Sequence, residues 1–151
     1  MSVAPVLAHE TRPLAAGRDK GVAAVELALL APLLVLMLLG MVEAAWLLGQ
    51  QLDVRQAARE GGRLAAIDHG DSATIASAVC LAMDDSSATT VDLSGSGVAL
   101  GQDIEVMVTK SPSHLTNFMS WAFPPAFTLS STATFALEVS PPSWTDGTVP
   151  C

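Results

Sequence analysis

The stretch from Gly21 to Ile67 reads "GVAAVELALLAPLLVLMLLGMVEAAWLLGQQLDVRQAAREGGRLAAI", and two different solvents are written into it. Its first half is apolar: Leu27 to Val42 is an uncharged run of 16 residues, rich in Leu and Met. As a helix rising about 1.5 Å per residue, that run covers about 24 Å, a little less than the ~30 Å of a hydrocarbon core. Apolar flanks at Val22–Val25 and Ala44–Gly49 supply the remainder, and Pro32 falls inside the run. Such a proline is tolerated where neighbouring groups re-satisfy the freed carbonyl. Glu26 and Glu43 bracket the run, 17 positions apart. Along a helix they lie about 25 Å from each other, near opposite edges of a bilayer. At mid-bilayer each would cost about 2.5–3.5 kcal/mol on insertion scales, so their placement at the edges matters.

The helical pattern continues past the apolar run. In "WLLGQQLDVRQAAREGGRLAAI", Leu47, Val54, Ala58, Gly61 and Ala65 form an apolar or small stripe spaced by seven, four, three and four. The small members Ala58, Gly61 and Ala65 suit close helix–helix approach better than a bulky globular core. Arg55, Arg59 and Arg63 form a second stripe at i, i+4 and i+8. It reads either as a solvated face near lipid phosphates or as a contact to acidic groups on a neighbouring subunit, with Glu43 a further candidate contact charge. The spacing predicts one helix of about 45 residues.

Farther along, the period changes. After the turn at Asp68–Asp71, "SATIASAVCLAM" predicts a short helix capped by Asp71 or Ser72, with Ile75, Ala76, Val79 and Met83 on one face. Polar "DDSSATT" ends it, and alternation of period two follows. Val91 and Leu93 mark a weak strand, and "SGSGVALG" a connecting turn. "DIEVMVTK" aligns Ile104, Val106 and Val108. "FTLSSTATFALEV" places Phe127, Leu129, Ala133, Phe135, Leu137 and Val139 inward. Between these strands, "SHLTNFMSWAF" sets Leu115, Phe118, Met119 and Ala122 at helical spacing before Pro124–Pro125. The expected fold class is therefore α+β: a long N-terminal helix, then a small antiparallel sheet with short helices. The expected divisions are a leader at 1–21, a transmembrane helix at 22–49, an amphipathic extension at 50–68 and a globular domain at 69–151.

Charge gives a direction to this plan. Arg12, Arg18 and Lys20 precede Gly21, opposed by Glu10 and Asp19; beyond them remain 4 of the 7 basic and 13 of the 15 acidic residues, a net of −9. A basic leader before an apolar run predicts a cytoplasmic N-terminus with the remainder carried across. The acidic distal part excludes nucleic acid as a partner, which needs phosphate-neutralising cations. The two cysteines, Cys80 and Cys151, both fall on the translocated side. In an oxidising compartment such a pair reads as a disulfide, the alternative being two unrelated thiols.

Signs of catalysis or cofactor binding are missing. His9, His69 and His114 lie in the leader, a turn and a helix start, and none has a histidine or cysteine at i+3 or i+4. "SGSGVALG" lacks the Lys and following helix of a phosphate loop. "DDSSATTVD" lacks the ligand order of a calcium loop and its closing Glu. No nucleophile elbow or carboxylate pair can be argued, so neither an enzyme nor a metal or cofactor site is expected.

A basic leader ending in Gly21, then Val22–Val25, then Glu26 opening a long apolar helix, resembles the class III signal of type IV pilins and pseudopilins. Within that group the Gly21–Ile67 stretch resembles the TadE-like proteins of the tight-adherence (Flp) pilus system. That family shows Gly-x-x-x-Val-Glu-Phe-Ala, a Leu-rich span with an early Pro, and Ala-Ala-Arg-Glu-Gly-Ala-Arg. Gly21, Val25, Glu26, Ala28, Pro32 and Ala57-Ala58-Arg59-Glu60-Gly61 match it; Leu27 and Gly62 depart, where an aromatic and an alanine are usual. The resemblance implies cleavage between Gly21 and Val22 by an inner-membrane prepilin peptidase. It also implies that Glu26, the fifth mature residue, pairs with the new α-amine of a neighbouring subunit. An ion pair in low dielectric offsets part of each partner's desolvation, so the carboxylate favours the packed over the dispersed state. Implied partners are other pilin or pseudopilin subunits, the peptidase, the inner-membrane assembly platform and lipid.

Two other readings compete. Val42-Glu43-Ala44 before Ala45 can pass as a signal-peptidase site, giving an ordinary secreted or anchored protein. A single-span assembly factor that never polymerises is the other. The N-terminus of the mature chain separates them.

Overall fold

The computed structural model describes residues 16–68, 70–115 and 127–151, with side chains from residue 21 onward. The expected leader up to residue 15, His69 and the predicted helix from residue 116 onward lie outside the described residues. The chain divides into two compact units, Met1–Leu39 and Gly40–Cys151.

Helix α1, Ala16–Ala66, is 51 residues long and includes Pro32. In the first unit its large apolar side chains from Val22 to Leu39 are 37–74% exposed. Its most apolar window has a mean hydropathy of 2.6 and none of it is buried. By length and composition α1 is able to cross a membrane.

In the second unit the character of α1 changes. Burial starts at Glu43 and Leu47, and Val54, Ala57, Ala58, Leu64, Ala65 and Ala66 join the core. The helix stops where Asp68 takes a left-handed φ of 54° and Gly70 one of 116°. Helix α2, Ser72–Leu81, then begins on Asp71, whose carboxylate accepts the Thr74 backbone N–H at 2.9 Å and the Thr74 hydroxyl at 2.6 Å. These bonds hold the Asp71 carboxyl below its ordinary pKa. Ile75, Ala76, Val79 and Met83 are buried, the face expected from the spacing.

The sheet has four strands in the order β3-β2-β1-β4: β1 Thr89–Ser94, β2 Asp103–Lys110, β3 Leu129–Ala136 and β4 Gly147–Pro150. All neighbours are antiparallel, with Val91 opposite Val108, Val106 opposite Ala133 and Val91 opposite Val149. Val91, Leu93, Ile104, Val106, Val108, Leu129 and Ala133 bury the inner face. Asp103, Glu105 and Met107 lie on the exposed face of β2. The architecture is the α+β arrangement expected, a helix pair on one face of a small sheet.

One expectation needs correction, and one strand was not anticipated. Val139 was placed inward, yet it is 42% exposed, because β3 ends at Ala136. The next backbone groups leave the ladder: Leu137 N–H donates to Gln102 O at 2.8 Å and Glu138 N–H to Ala66 O at 2.9 Å, capping the end of α1. The sequence reading assigns no element beyond Val139, and the proline-rich tail supplies β4. Its Thr148-Val149 core is too short to show an alternation, and its partner β1 lies far back in sequence.

Ahead of β4, Trp144 is only 1% exposed and its Nε1 donates to Ala65 O at 3.0 Å. Asp68 accepts the Ser143 N–H and hydroxyl, and Ser72 exchanges bonds with the Thr145 backbone. The corner between α1 and α2 is thus closed by a segment from near the C-terminus.

Candidate assembly surfaces along the long helix

Gly21, Val22 and Glu26 sit on the exposed helix of the first unit, and a Cβ at Gly21 would meet nothing within 4 Å. Among the described residues Glu26 makes no ion pair.

Glu43 is placed otherwise. It is 1% exposed, and its Oε1 accepts the Leu115 N–H at 3.0 Å, with His114 Nδ1 at 3.4 Å. One turn on, Trp46 Nε1 donates to Ser113 O at 3.0 Å. At the next turn the Gln50 amide meets the same residue both ways: Nε2 donates to Ser113 O at 2.8 Å, and Oε1 accepts Ser113 N–H at 3.0 Å. Glu43, Trp46 and Gln50 therefore form a polar clamp at i, i+3 and i+7 on residues 113–115. Trp46 and Gln50 were missed by the sequence reading. Their spacing continues to Val54, the signal that could have exposed them.

The small residues Ala58, Gly61 and Ala65 are buried, and the approach they permit lies within the chain. A Cβ at Gly61 would come 2.6 Å from Val79 Cγ2 of α2 and 3.1 Å from Val106 Cγ1 of β2. At Gly62, the departure from the family pattern, a Cβ would lie 2.5 Å from Phe135 Cδ2. Phe135 fills the space that an alanine methyl takes.

The arginine stripe divides in two. Arg63 forms a two-point pair with Glu60, Nη2 to Oε1 at 2.6 Å and Nε to Oε2 at 3.1 Å, which raises the arginine pKa. Arg55 and Arg59 instead line a shallow cleft of about 420 Å³ with Ser131, Thr132, Ala133, Thr134 and Phe135 of β3. The fourth distal cation, Lys110, is 2% exposed and bonds the Asp85 carboxylate at 3.0 Å as well as the Asp85 carbonyl. Ser87's hydroxyl and N–H, then Lys110, lower the Asp85 carboxyl to about 2. Cys80 and Cys151 form a disulfide that ties α2 to the residue after β4. Among the described residues no cluster of three or more His, Cys, Asp or Glu is placed to hold a metal ion.

These features define a class: an α+β domain carried on a helix able to span a membrane. Residues 21–63 match the family model described as TadE-like protein, the family that the sequence resembles. The match suggests a Tad pilus-associated protein, with pilus components as its partners. No curated protein and no solved structure matches the chain.

Proposed function

We propose that the chain is a minor-pilin or pseudopilin-like structural subunit of a tight-adherence pilus. In this reading it is anchored in the inner membrane with its N-terminus cytoplasmic and its domain outside, and it serves assembly, adhesion or secretion. The carrying observation is that the matched segment starts at Gly21 and holds Glu26 on a helix whose apolar side chains have no cover. Lipid or other subunits must supply that cover.

The lipid-spanning part is residues 22–42 rather than 22–49. Glu43, Trp46 and Gln50 are engaged with residues 113–115, so they belong to the domain. Those 21 residues make a helix of about 31 Å, close to a hydrocarbon thickness. The same clamp weighs against a signal-peptidase cut before Ala45, which would discard Glu43 and leave the Leu115 N–H without its acceptor.

After cleavage at Gly21–Val22, the Val22 ammonium of one subunit meets the Glu26 carboxylate of another. The test is the intact mass of the membrane-extracted protein. A chain beginning at Val22 is expected; one beginning at Met1 or Ala45 overturns the proposal. Glu26→Ala should insert normally yet be missing from sheared filaments, and normal incorporation would remove the pairing role.

A further inference from the structure

From Gly21 onward the chain has four cations, Arg55, Arg59, Arg63 and Lys110. Arg63 is held by Glu60 and Lys110 by Asp85. Arg55 and Arg59 make no hydrogen bond or ion pair among the described residues. They stand one helical turn apart, both exposed, in the cleft along β3. Among the described residues β3 pairs with β2 alone, and Gln51 Nε2 of α1 donates to its Ser130 carbonyl at 3.1 Å. Its sequence, LSSTATFA, has none of the charges or prolines that commonly blunt a free sheet edge. Five consecutive residues, Ser131 to Phe135, line the cleft, so it follows the strand edge and not one face. Two guanidinium groups and three hydroxyls make a surface suited to a pair of carboxylates.

The chain itself presents such a pair on the outer face of β2, a strand whose two edges are already paired, so the contact is made by side chains. Asp103 and Glu105 alternate with buried Ile104 and Val106 on β2, are exposed, and make no ion pair among the described residues. Two residues apart on a strand, they are separated by about 6.6–6.8 Å. Arg55 and Arg59, four apart on a helix, are separated by about 6 Å of rise. The two pairs match in spacing and oppose in sign.

We propose that the Arg55–Arg59 cleft of one copy receives the Asp103–Glu105 face of a second copy of this chain. The inference rests on the subunit reading above and names the surfaces through which neighbouring domains touch. Each copy offers one basic and one acidic surface, so the contact can repeat from copy to copy. Opposite charges steer the encounter and set its register, and the net charge of −9 beyond Lys20 would otherwise keep copies apart.

The test uses the full-length protein in its native membrane with a photo-crosslinking amino acid at Thr132, on the rim of the cleft. An adduct of two copies is expected. Arg55→Glu with Arg59→Glu should lower its yield on the order of tenfold, and Arg55→Gln with Arg59→Gln by less, with added salt weakening the parent adduct. Co-expressing the Glu variant with an Asp103→Arg, Glu105→Arg partner should restore the yield. Retention of the Cys80–Cys151 bond, read on non-reducing gels, verifies that each variant has folded. Absence of a self-adduct, an adduct indifferent to these charges, or capture of a different protein alone would overturn the contact. A charge-responsive self-adduct in protein that still begins at Met1 would uphold the contact while overturning the processing proposal.

Discussion

Gly61→Ala isolates the packing that joins α1 to the rest of the domain. The new methyl would lie 2.6 Å from Val79 Cγ2 and 3.1 Å from Val106 Cγ1, whereas carbon atoms settle at about 3.5–4.0 Å. Both valines are wholly buried, and Val79 sits on a helix where its χ1 is held in one well. Relief must therefore come from backbone movement, and overpacking of this kind costs about 1–3 kcal/mol. Alanine also returns about 0.8–1.0 kcal/mol of helix propensity over glycine. The net expectation is a loss of about 0–2 kcal/mol, too broad to be decisive alone, so a double-mutant cycle is needed. Val79→Ala removes the obstructing methyl, at about 1–3 kcal/mol for the cavity it opens. In that background Gly61→Ala should become neutral or stabilising by up to about 1 kcal/mol, giving a coupling of about 1–3 kcal/mol. Denaturant unfolding of the full chain in detergent, followed by tryptophan fluorescence, reads all four corners. Gly62→Ala is the control: it meets the ring of half-buried Phe135, which has room to swing outward, so its cost should be smaller. A coupling below about 0.5 kcal/mol would refute the claim that Gly61 is where α1, α2 and β2 meet most closely.

Other perturbations test different supports. Replacing Cys80 and Cys151 with Ser opens a bridge between residues separated by 71 in sequence. The loss should be about 4 kcal/mol in the chain-entropy account, read as a fall in the denaturation midpoint. Asp85 has its pKa lowered from 3.8 to about 2, so the stability it contributes is present above 3.8 and disappears as pH falls through that interval. Asp85→Asn should remove this part of the acid dependence while lowering stability at neutral pH, since Lys110 then keeps a buried charge without its counterion. Trp144→Phe should cost about 0.5–1.5 kcal/mol by removing the indole bond to the Ala65 carbonyl, which keeps the Asp68 N–H at 3.2 Å, with faster hydrogen exchange at the α1–α2 corner.

Local chemistry was legible in the sequence. The Asp71 cap and the buried face of α2 follow from residues within one or two turns of each other. The β2 strand shows its inward Ile104, Val106 and Val108 directly by alternation. Features made by distant partners were not legible. Thr148 and Val149 become a strand only because β1 offers an edge, and Trp144 is a core residue because the tail folds back onto the apolar cluster, where Ala65 also presents a carbonyl. Gln50 reads as a surface amide until Ser113 is placed against it. The arginine stripe looked uniform because periodicity reports a shared face without saying which member already has a neighbour; Glu60, three residues before Arg63, pairs with it.

The Trp144 plug and β4 also carry a message about timing. The pieces that wedge the α1–α2 corner and extend the sheet are synthesised after nearly everything they cover. Until they arrive, Val91 and Leu93 have one strand edge open, the α1–α2 corner lacks its wedge, and Cys80 waits as a thiol. Completion of this domain is consequently a late event in synthesis, and closing the Cys80–Cys151 bridge requires an oxidant. A chain interrupted before Trp144 would keep the long helix and lose the wedge, β4 and the disulfide together.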